Sequence, residues 1–328
     1  LVKKTGKGER KIFKAGMAYM AEKHPEILKE LMPLIPEYTR WDHVFDLAHS
    51  TNKSVSSLAI SIVSEQLKKD YNAAQNHGSM TLCGKWAPSI QSKKPEDRQI
   101  AFKLERALRL DHKEYRKFLS TIREGLNILE RNQSLKLNEK INLEHLTSTN
   151  QLKAQKALER QLGEDVVKEY QEKVASGEAK INAKVLNPDD IVAKYPKRGW
   201  YNYAYDQAME NLWHSLVNDI GKSNSGTIIV RDGSGSMEAK VPGKQNESIL
   251  DVATAFSIYC AEKMDGLFKD KFITFSSRPE LIDMSHLDSL CDKLNLCARY
   301  DDCSNTDLKK TFDLLLDTAV RNGYAQED

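Results

Sequence analysis

Apolar residues recur at helical spacing through the first two thirds of the chain, and the pattern changes abruptly near residue 226. Residues 9–23 carry Ile12, Phe13, Met17, Ala18 and Met20 close to a 3.6-residue period, and His24-Pro25 stops them, because a residue before proline is pushed out of the helical region. A short helix over 26–32 ends at Pro33 and Pro36. Helices follow over 41–48 (Val44, Phe45, Leu47), 54–71 (Leu58, Ile62, Leu67) and 95–108 (Phe102, Leu104, Leu108). The stripe Tyr115, Phe118, Leu119, Ile122, Leu126 and Leu129 predicts one more over 113–131. Residues 151–175 predict a charged helix pair or one long helix, and 206–220 a last helix. Many helices with short connectors and no clean repeat period point to an α-solenoid or bundle.

The string Gly221 to Gly226 has linker chemistry and sets the expected boundary, with a helical domain over 1–222 and a second domain over 223–328. Beyond it, Thr227-Ile228-Ile229-Val230 is a short β-branched run, the signature of a buried parallel strand. A helix is expected over 249–264, a strand over 271–275, and a helix over 308–320 with Phe312, Leu315 and Leu316 on one side. Alternating strands and helices predict a doubly wound α/β domain, incomplete at its C-terminus because such a sheet needs more strands.

The chain has 328 residues, 40% hydrophobic and 29% charged, a globular composition that excludes a disordered one. No run approaches the roughly 18 apolar residues of a membrane helix, so no membrane partner is expected. The opening Leu1-Val2-Lys3-Lys4 is neither a signal peptide nor an initiator, and the expectation is that a true N-terminus lies upstream. Five scattered cysteines suit a reducing compartment, and the expected location is cytoplasmic. The six-residue spacing of Cys291, Cys297 and Cys303 fits no short zinc motif, so buried thiols are expected. The net charge of +2 conceals an asymmetry: residues 230–328 hold 12 basic and 18 acidic residues, leaving a surplus of +8 over 1–229. A basic helical part suits a polyanion such as RNA, although Lys-rich helical surfaces also serve solubility.

The string with chemistry is Asp232-Gly233-Ser234-Gly235-Ser236, directly after the first strand. In an open α/β sheet that loop faces the ligand crevice. It offers one carboxylate and two hydroxyls on a glycine-softened turn, hard oxygen donors that suit Mg²⁺ or another divalent cation. It lacks the Gly-Lys-Ser/Thr ending of a phosphate loop and is not a Gly-x-Ser-x-Gly nucleophile turn. No paired acid and base, Ser/His/Asp or Cys/His spacing supports catalysis, so the expectation is a binding protein and not an enzyme. The string resembles the metal-ion-dependent adhesion site of von Willebrand factor A domains. By that resemblance Ser234 and Ser236 would hold the ion directly, Asp232 would act mostly through water, and Thr306 in Ser304-Asn305-Thr306-Asp307 would be a further ligand. A protein partner would donate an acidic residue to the metal. The family's third element, an aspartate after a further strand, has no counterpart, which would leave the cation weakly held or missing in this chain.

Further strings lie upstream: Gly6 to Lys11, Pro33 to Asp42, Gly84 to Ser89 and Tyr115 to Ser120. In this order, ahead of an A-type domain, they resemble the Ro autoantigen (TROVE) family, especially its bacterial, phage and plant members. The resemblance implies a ring or horseshoe of HEAT-like helical repeats that binds small non-coding or single-stranded RNA. Candidate phosphate contacts are Lys7, Arg10, Lys11, Arg40, Lys85, Arg116 and Lys117, and Trp41 and Trp86 are candidates for stacking on unpaired bases. Core or inter-helix packing is the stronger expectation for the tryptophans, and a solvated face for any single Lys or Arg. The alternative reading is an interaction module of a larger assembly that uses a metal-dependent A domain without RNA.

Overall fold

The computed structural model describes residues 10–181, 183, 186–199, 202–216, 227–244, 246–266, 268–301 and 305–323. The chain is mainly helical, with one small mixed sheet, and forms two compact units, residues 1–142 and 143–328.

The first unit contains α1 (Lys11–Lys23), α2 (Pro25–Leu31), α3 (Ile35–Tyr38), α4 (Trp41–Ala48), α5 (Lys53–Gln75), α6 (Cys83–Trp86), α7 (Pro95–Leu108), α8 (His112–Gly125) and α9 (Leu129–Leu135). Its centre is α5, which begins at Asn52, whose side chain accepts from the backbone N–H of Ser54 and Val55. Val55, Ala59, Val63 and Leu67 follow at four-residue intervals and are fully buried against α2, α4, α7 and α8. Each Val or Leu in that row contributes about 1.5–3 kcal/mol by leaving water. Asp70 on the same helix is buried because Thr81 satisfies it through both its backbone N–H (3.0 Å) and its hydroxyl (2.7 Å). Gly84 in α6 is required by packing, since a Cβ there would meet Ile122 Cγ2 at 2.5 Å. The single helix expected over 113–131 is two: Asn127 takes a left-handed conformation (φ 49°) between α8 and α9. The apolar stripe runs on across the break, but Gly125 and Asn127 make the helix end there easy.

The second unit contains α10 (Ser148–Leu162), α11 (Glu164–Ala175), α12 (Pro188–Val192) and α13 (Gln207–His214), then β1 (Ile229–Arg231), α14 (Ile249–Lys263), β2 (Lys271–Thr274), β3 (Leu281–Asp283), α15 (Leu290–Ala298) and α16 (Leu308–Asn322). Residues 151–175 form the expected pair and not one long helix, because Gly163 (φ 98°) separates α10 from α11. The expected boundary at 222/223 falls outside the described residues. The helices just before it gather with the strands and not with the first unit. Leu212 and Trp213 of α13 share a core with Ile258 of α14 and Phe272 of β2, and the Trp213 indole donates to Glu262 at 2.9 Å. Glu210 of α13 is buried and accepts from the Tyr195 hydroxyl (2.5 Å) and from the N–H groups of Leu290 (2.8 Å) and Cys291 (2.9 Å). A carboxylate from one helix thereby satisfies the orphan donors that open another, α15.

The sheet order is β1-β2-β3. β1 and β2 run parallel, with Val230 opposite Ile273, and α14 makes the crossover. β3 is antiparallel to β2, with Phe272 opposite Ile282, so the expectation of a purely parallel sheet is corrected to a mixed one. The reason is local: the short turn over 275–280 returns the chain along β2, too short for a helical crossover. Neither β3 nor α15 was predicted. The helix α16 forms where expected, but its stripe Leu308, Phe312, Leu316 and Val320 is 60–72% exposed among the described residues, and only Thr311 is buried.

Candidate cation loop and basic face

The β-branched run of β1 ends in Arg231, whose side chain is 1% exposed. A buried guanidinium needs acceptors on every side. Its Nε and Nη2 donate to Thr254 Oγ1 of α14 (3.2 and 2.8 Å), Nη1 approaches the Cys297 carbonyl of α15 (3.4 Å), and Nη2 pairs with Asp301. Arg231 therefore ties the carboxyl end of β1 to two helices and to the segment after α15. Burial pushes the Asp301 carboxyl up, with Arg231 and then Lys197 opposing that shift.

The chain turns immediately after this bolt. Asp232 Oδ1 accepts the Ser234 N–H at 2.9 Å, and the Ser234 and Ser236 hydroxyl oxygens stand 3.1 Å apart. Ser236 lies in a single 3₁₀ turn, Gly235–Glu238, closed by Met237 N–H donating to Ser234 O (2.9 Å). Gly233 passes so close to the next segment that a Cβ would meet Tyr300 O at 3.0 Å and Asp301 Oδ1 at 3.2 Å. The first glycine of the motif is thus fixed by crowding, and the acid beside it is Asp301.

Oxygens in adjacent positions of an octahedral Mg²⁺ stand about 3.0 Å apart, given Mg–O lengths of about 2.1 Å. The Ser234–Ser236 separation fits such a pair, and Asp232 supplies the carboxylate within the same turn. Thr306 is exposed, and no hydrogen bond joins it to Ser234 or Ser236 among the described residues. Its segment approaches the carboxyl end of the neighbouring strand β2. Asp307 caps α16 through the Lys310 N–H (3.1 Å), and Lys310 Nζ donates to Ser277 O (2.9 Å) in the loop leaving β2. Ser304 and Cys303 lie outside the described residues. Cys291 and Cys297 are buried, as expected of structural thiols, and burial pushes the Cys297 thiol up to about 11.

A cavity of about 390 Å³ opens beside the loop, lined by Lys197, Tyr203, Arg231, Glu238, Asp251 and Asp301 among others. Part of its charge is paired within the wall: Lys197 Nζ lies 3.0 Å from Asp251 and 5.2 Å from the centre of the Tyr203 ring. A second acidic group, Asp189, Asp190 and Glu247, brings three carboxylates together. Its cation is a side chain, since Lys244 Nζ lies 2.6 Å from Glu247, 3.2 Å from Asp190 and 3.6 Å from Asp189.

The candidate RNA contacts belong to the first unit, which holds 26 basic and 17 acidic residues against 23 and 30 in the second. Lys7 lies outside the described residues. Arg10 and Lys11 are exposed where α1 begins. Arg40 sits 4.8 Å over the Trp86 ring and pairs with Asp42 at 3.1 Å. Burial lowers the Arg40 pKa, Asp42 raises it, and Arg10, close enough to interact, lowers it further. Lys85 Nζ reaches Glu130 at 3.2 Å. Trp41 and Trp86 are half-buried against the core, so both do packing work, and one face of Trp86 is taken by Arg40. Arg116 and Lys117 are exposed on α8. The structure thus sets Arg40 over Trp86 with Arg10 close enough to act on it, turns Lys85 to Glu130, and leaves Arg116 and Lys117 on an open helix face.

Sequence reasoning missed Arg231 and Asp301. The available signal was an arginine closing an otherwise apolar strand, which demands a buried acidic partner.

Comparison with known proteins matches residues 93–227 to a family model described as domain of unknown function DUF2828, and residues 226–328 to one described as domain of unknown function DUF7788. The two matches meet within a few residues of the linker string at 221–226. No solved structure matches. The chain is similar, at 27% identity over 353 aligned positions, to the uncharacterized protein L728 of Acanthamoeba polyphaga mimivirus, covering 97% of this chain but only 59% of that relative's length.

Proposed function

We propose that this chain is a binding protein whose second unit holds a divalent cation on the loop after β1 and uses it to capture a carboxylate of a protein partner. The observation that carries this reading is the 3.1 Å approach of the Ser234 and Ser236 hydroxyls, one turn from the Asp232 carboxylate. Ser234 and Ser236 would be direct ligands, Asp232 would act through a bound water, and Thr306 would join from the segment before α16. Bound there, the ion supplies a positive centre that an acidic side chain of a partner can complete. The chain's own part would be to converge the three oxygens, with Arg231 holding the end of β1 against Asp301. The finer fold reading, an A-type domain following HEAT-like helices, belongs to the same proposal. The experiment is calorimetric titration of Mg²⁺ into the full chain. One site is expected, and it disappears in Asp232→Ala. Wild-type protein that takes up no Mg²⁺ rejects the reading.

A second reading is favoured by a separate observation. The first unit is basic, it sets Arg40 over Trp86 with Arg10 acting on Arg40, and it leaves Arg116 and Lys117 exposed. That arrangement supports binding of single-stranded or small non-coding RNA through phosphate contacts. The two readings address different units and are compatible.

A further inference from the structure

The end of α7 and the start of α8 frame an open groove of about 620 Å³ within the first unit. Two aromatic rings stand in its wall. Phe102 of α7 is 39% exposed, His112 of α8 is 68% exposed, and their ring centroids lie 5.5 Å apart. His112 Nδ1 lies 2.8 Å from Glu105, a buried carboxylate, so the imidazole is held in place and that acid is engaged. Rings this close leave no room for a base between them, but each presents an outer face on which one could stack.

Three cations line the same groove: Arg106 in the last turn of α7, Arg109 just after it, and Lys113 in the first turn of α8. All three are exposed, and among the described residues no hydrogen bond or ion pair engages their side chains. The remaining acid of the wall, Asp111, is turned to the backbone. Its Oδ1 accepts the Glu114 N–H at 2.7 Å, and Glu114 Oε2 accepts the Asp111 N–H at 2.9 Å, a box that opens α8. Arg109 ends α7 in the left-handed region (φ 56°, ψ 44°), where glycine or asparagine would sit without strain. An arginine held there points to a use for its side chain. The positive track does not stop at the groove. Arg116 and Lys117 follow Lys113 at i+3 and i+4, on the same face of α8.

We propose that this groove is where the first unit binds a single-stranded nucleic acid. A base stacks on Phe102 and His112, phosphates lie against Arg106, Arg109 and Lys113, and the strand continues along α8 past Arg116 and Lys117. The proposal rests on the RNA reading and gives it a place, moving the stacking ring from Trp86, which Arg40 covers on one face, to Phe102. An acidic peptide would bring charge without a succession of flat rings, and a free nucleotide would not use the track along α8.

The test is fluorescence anisotropy of a labelled single-stranded oligoadenylate of about ten nucleotides, titrated with the full chain at several salt concentrations. Phe102→Ala is expected to weaken binding about tenfold and to leave the salt slope unchanged. Arg106→Ala/Lys113→Ala is expected to weaken binding and to lower the slope of log affinity against log salt by about 1–2 in all. Arg109→Gly relieves the left-handed backbone, so it is expected to melt no lower than wild type and still to bind several-fold more weakly. If Phe102→Ala does not fold, the other two variants carry the test. Wild type that binds the strand while the folded variants bind it equally well overturns the groove and leaves the RNA reading standing. A folded Phe102→Ala with unchanged affinity overturns the stacking. Wild type that binds no oligoadenylate at low salt removes the RNA reading and the groove with it. Oligoglutamate or adenosine monophosphate that displaces the strand at equal concentration overturns the proposal in favour of an acidic peptide or a free nucleotide.

Discussion

The two units solve the problem of a polar group next to a core in opposite ways. In the first, the central row of α5 is apolar, buried Asp70 is satisfied by the neutral Thr81, and pairs of opposite charge such as Lys85–Glu130 lie exposed or half-exposed at the rim. In the second, a charged pair, Arg231–Asp301, is built into the interior and supports the loop that carries the chemistry. A rim pair gains little because water screens it, whereas a buried pair is costly to break because one charge is left without a partner. The same contrast appears in net charge. Under the proposed reading, the unit with the basic surplus would present a surface for polyanions, and the acidic unit would present oxygens for a cation.

The sharpest way to break this comparison is to remove one partner from each pair. Asp301→Ala leaves Arg231 buried and uncompensated, and the expected loss is about 3–5 kcal/mol of stability in urea denaturation. Lys85→Ala is expected to cost less than about 1 kcal/mol, since both partners are partly exposed. Equal losses in the two variants would show that the distinction between rim and interior is misdrawn. Magnesium binding gives a second readout for Asp301→Asn, which keeps the shape and removes the charge. It is expected to weaken the ion even if the variant folds.

The next contrast concerns anions. If exposed Arg116 and Lys117 neutralise phosphates, the Arg116→Ala/Lys117→Ala double variant should lower single-stranded RNA affinity. It should also reduce the slope of log affinity against log salt by about 1 for each phosphate that is no longer neutralised. Asp232→Ala should leave both quantities unchanged. RNA binding that collapses in Asp232→Ala, or that does not respond to salt, would remove the division of labour between the units.

The smallest effect is a pH dependence. Burial holds the His43 pKa below its unfolded value of 6.5, while Asp42 and Asp46 oppose the shift and Lys14 and Arg40 add to it. The unfolded chain therefore binds a proton that the native state resists. Stability from this group is full above about pH 6.5 and falls as pH drops through that value. Wild type should lose more stability between pH 7.5 and 5.5 than His43→Leu does, compared by urea midpoints. Equal losses would place the His43 pKa at its ordinary value.

Helices that carry a strong apolar period were legible in the sequence, as α4 (Trp41–Ala48) and α7 (Pro95–Leu108) illustrate, because one face of each meets the α5 row. The breaks were harder. Asn127 interrupts a stripe whose apolar spacing continues across it, and only the left-handed backbone reveals the end. The strand β3 is three residues long, shorter than a period can declare itself, and its pairing depends on β2. The loop Asp232–Ser236 could be read because its residues are contiguous. Its support could not, because Arg231 and Asp301 stand 70 positions apart and meet only in the fold.

The central claim is that three oxygens of one loop hold a cation, and paramagnetic resonance of Mn²⁺ titrated into the full chain tests it most directly. One bound ion in wild type, displaced by Mg²⁺ and lost in Ser234→Ala/Ser236→Ala while the fold is retained, is the predicted result. Mn²⁺ that stays free in wild type, or that binds the folded double variant equally well, would contradict it.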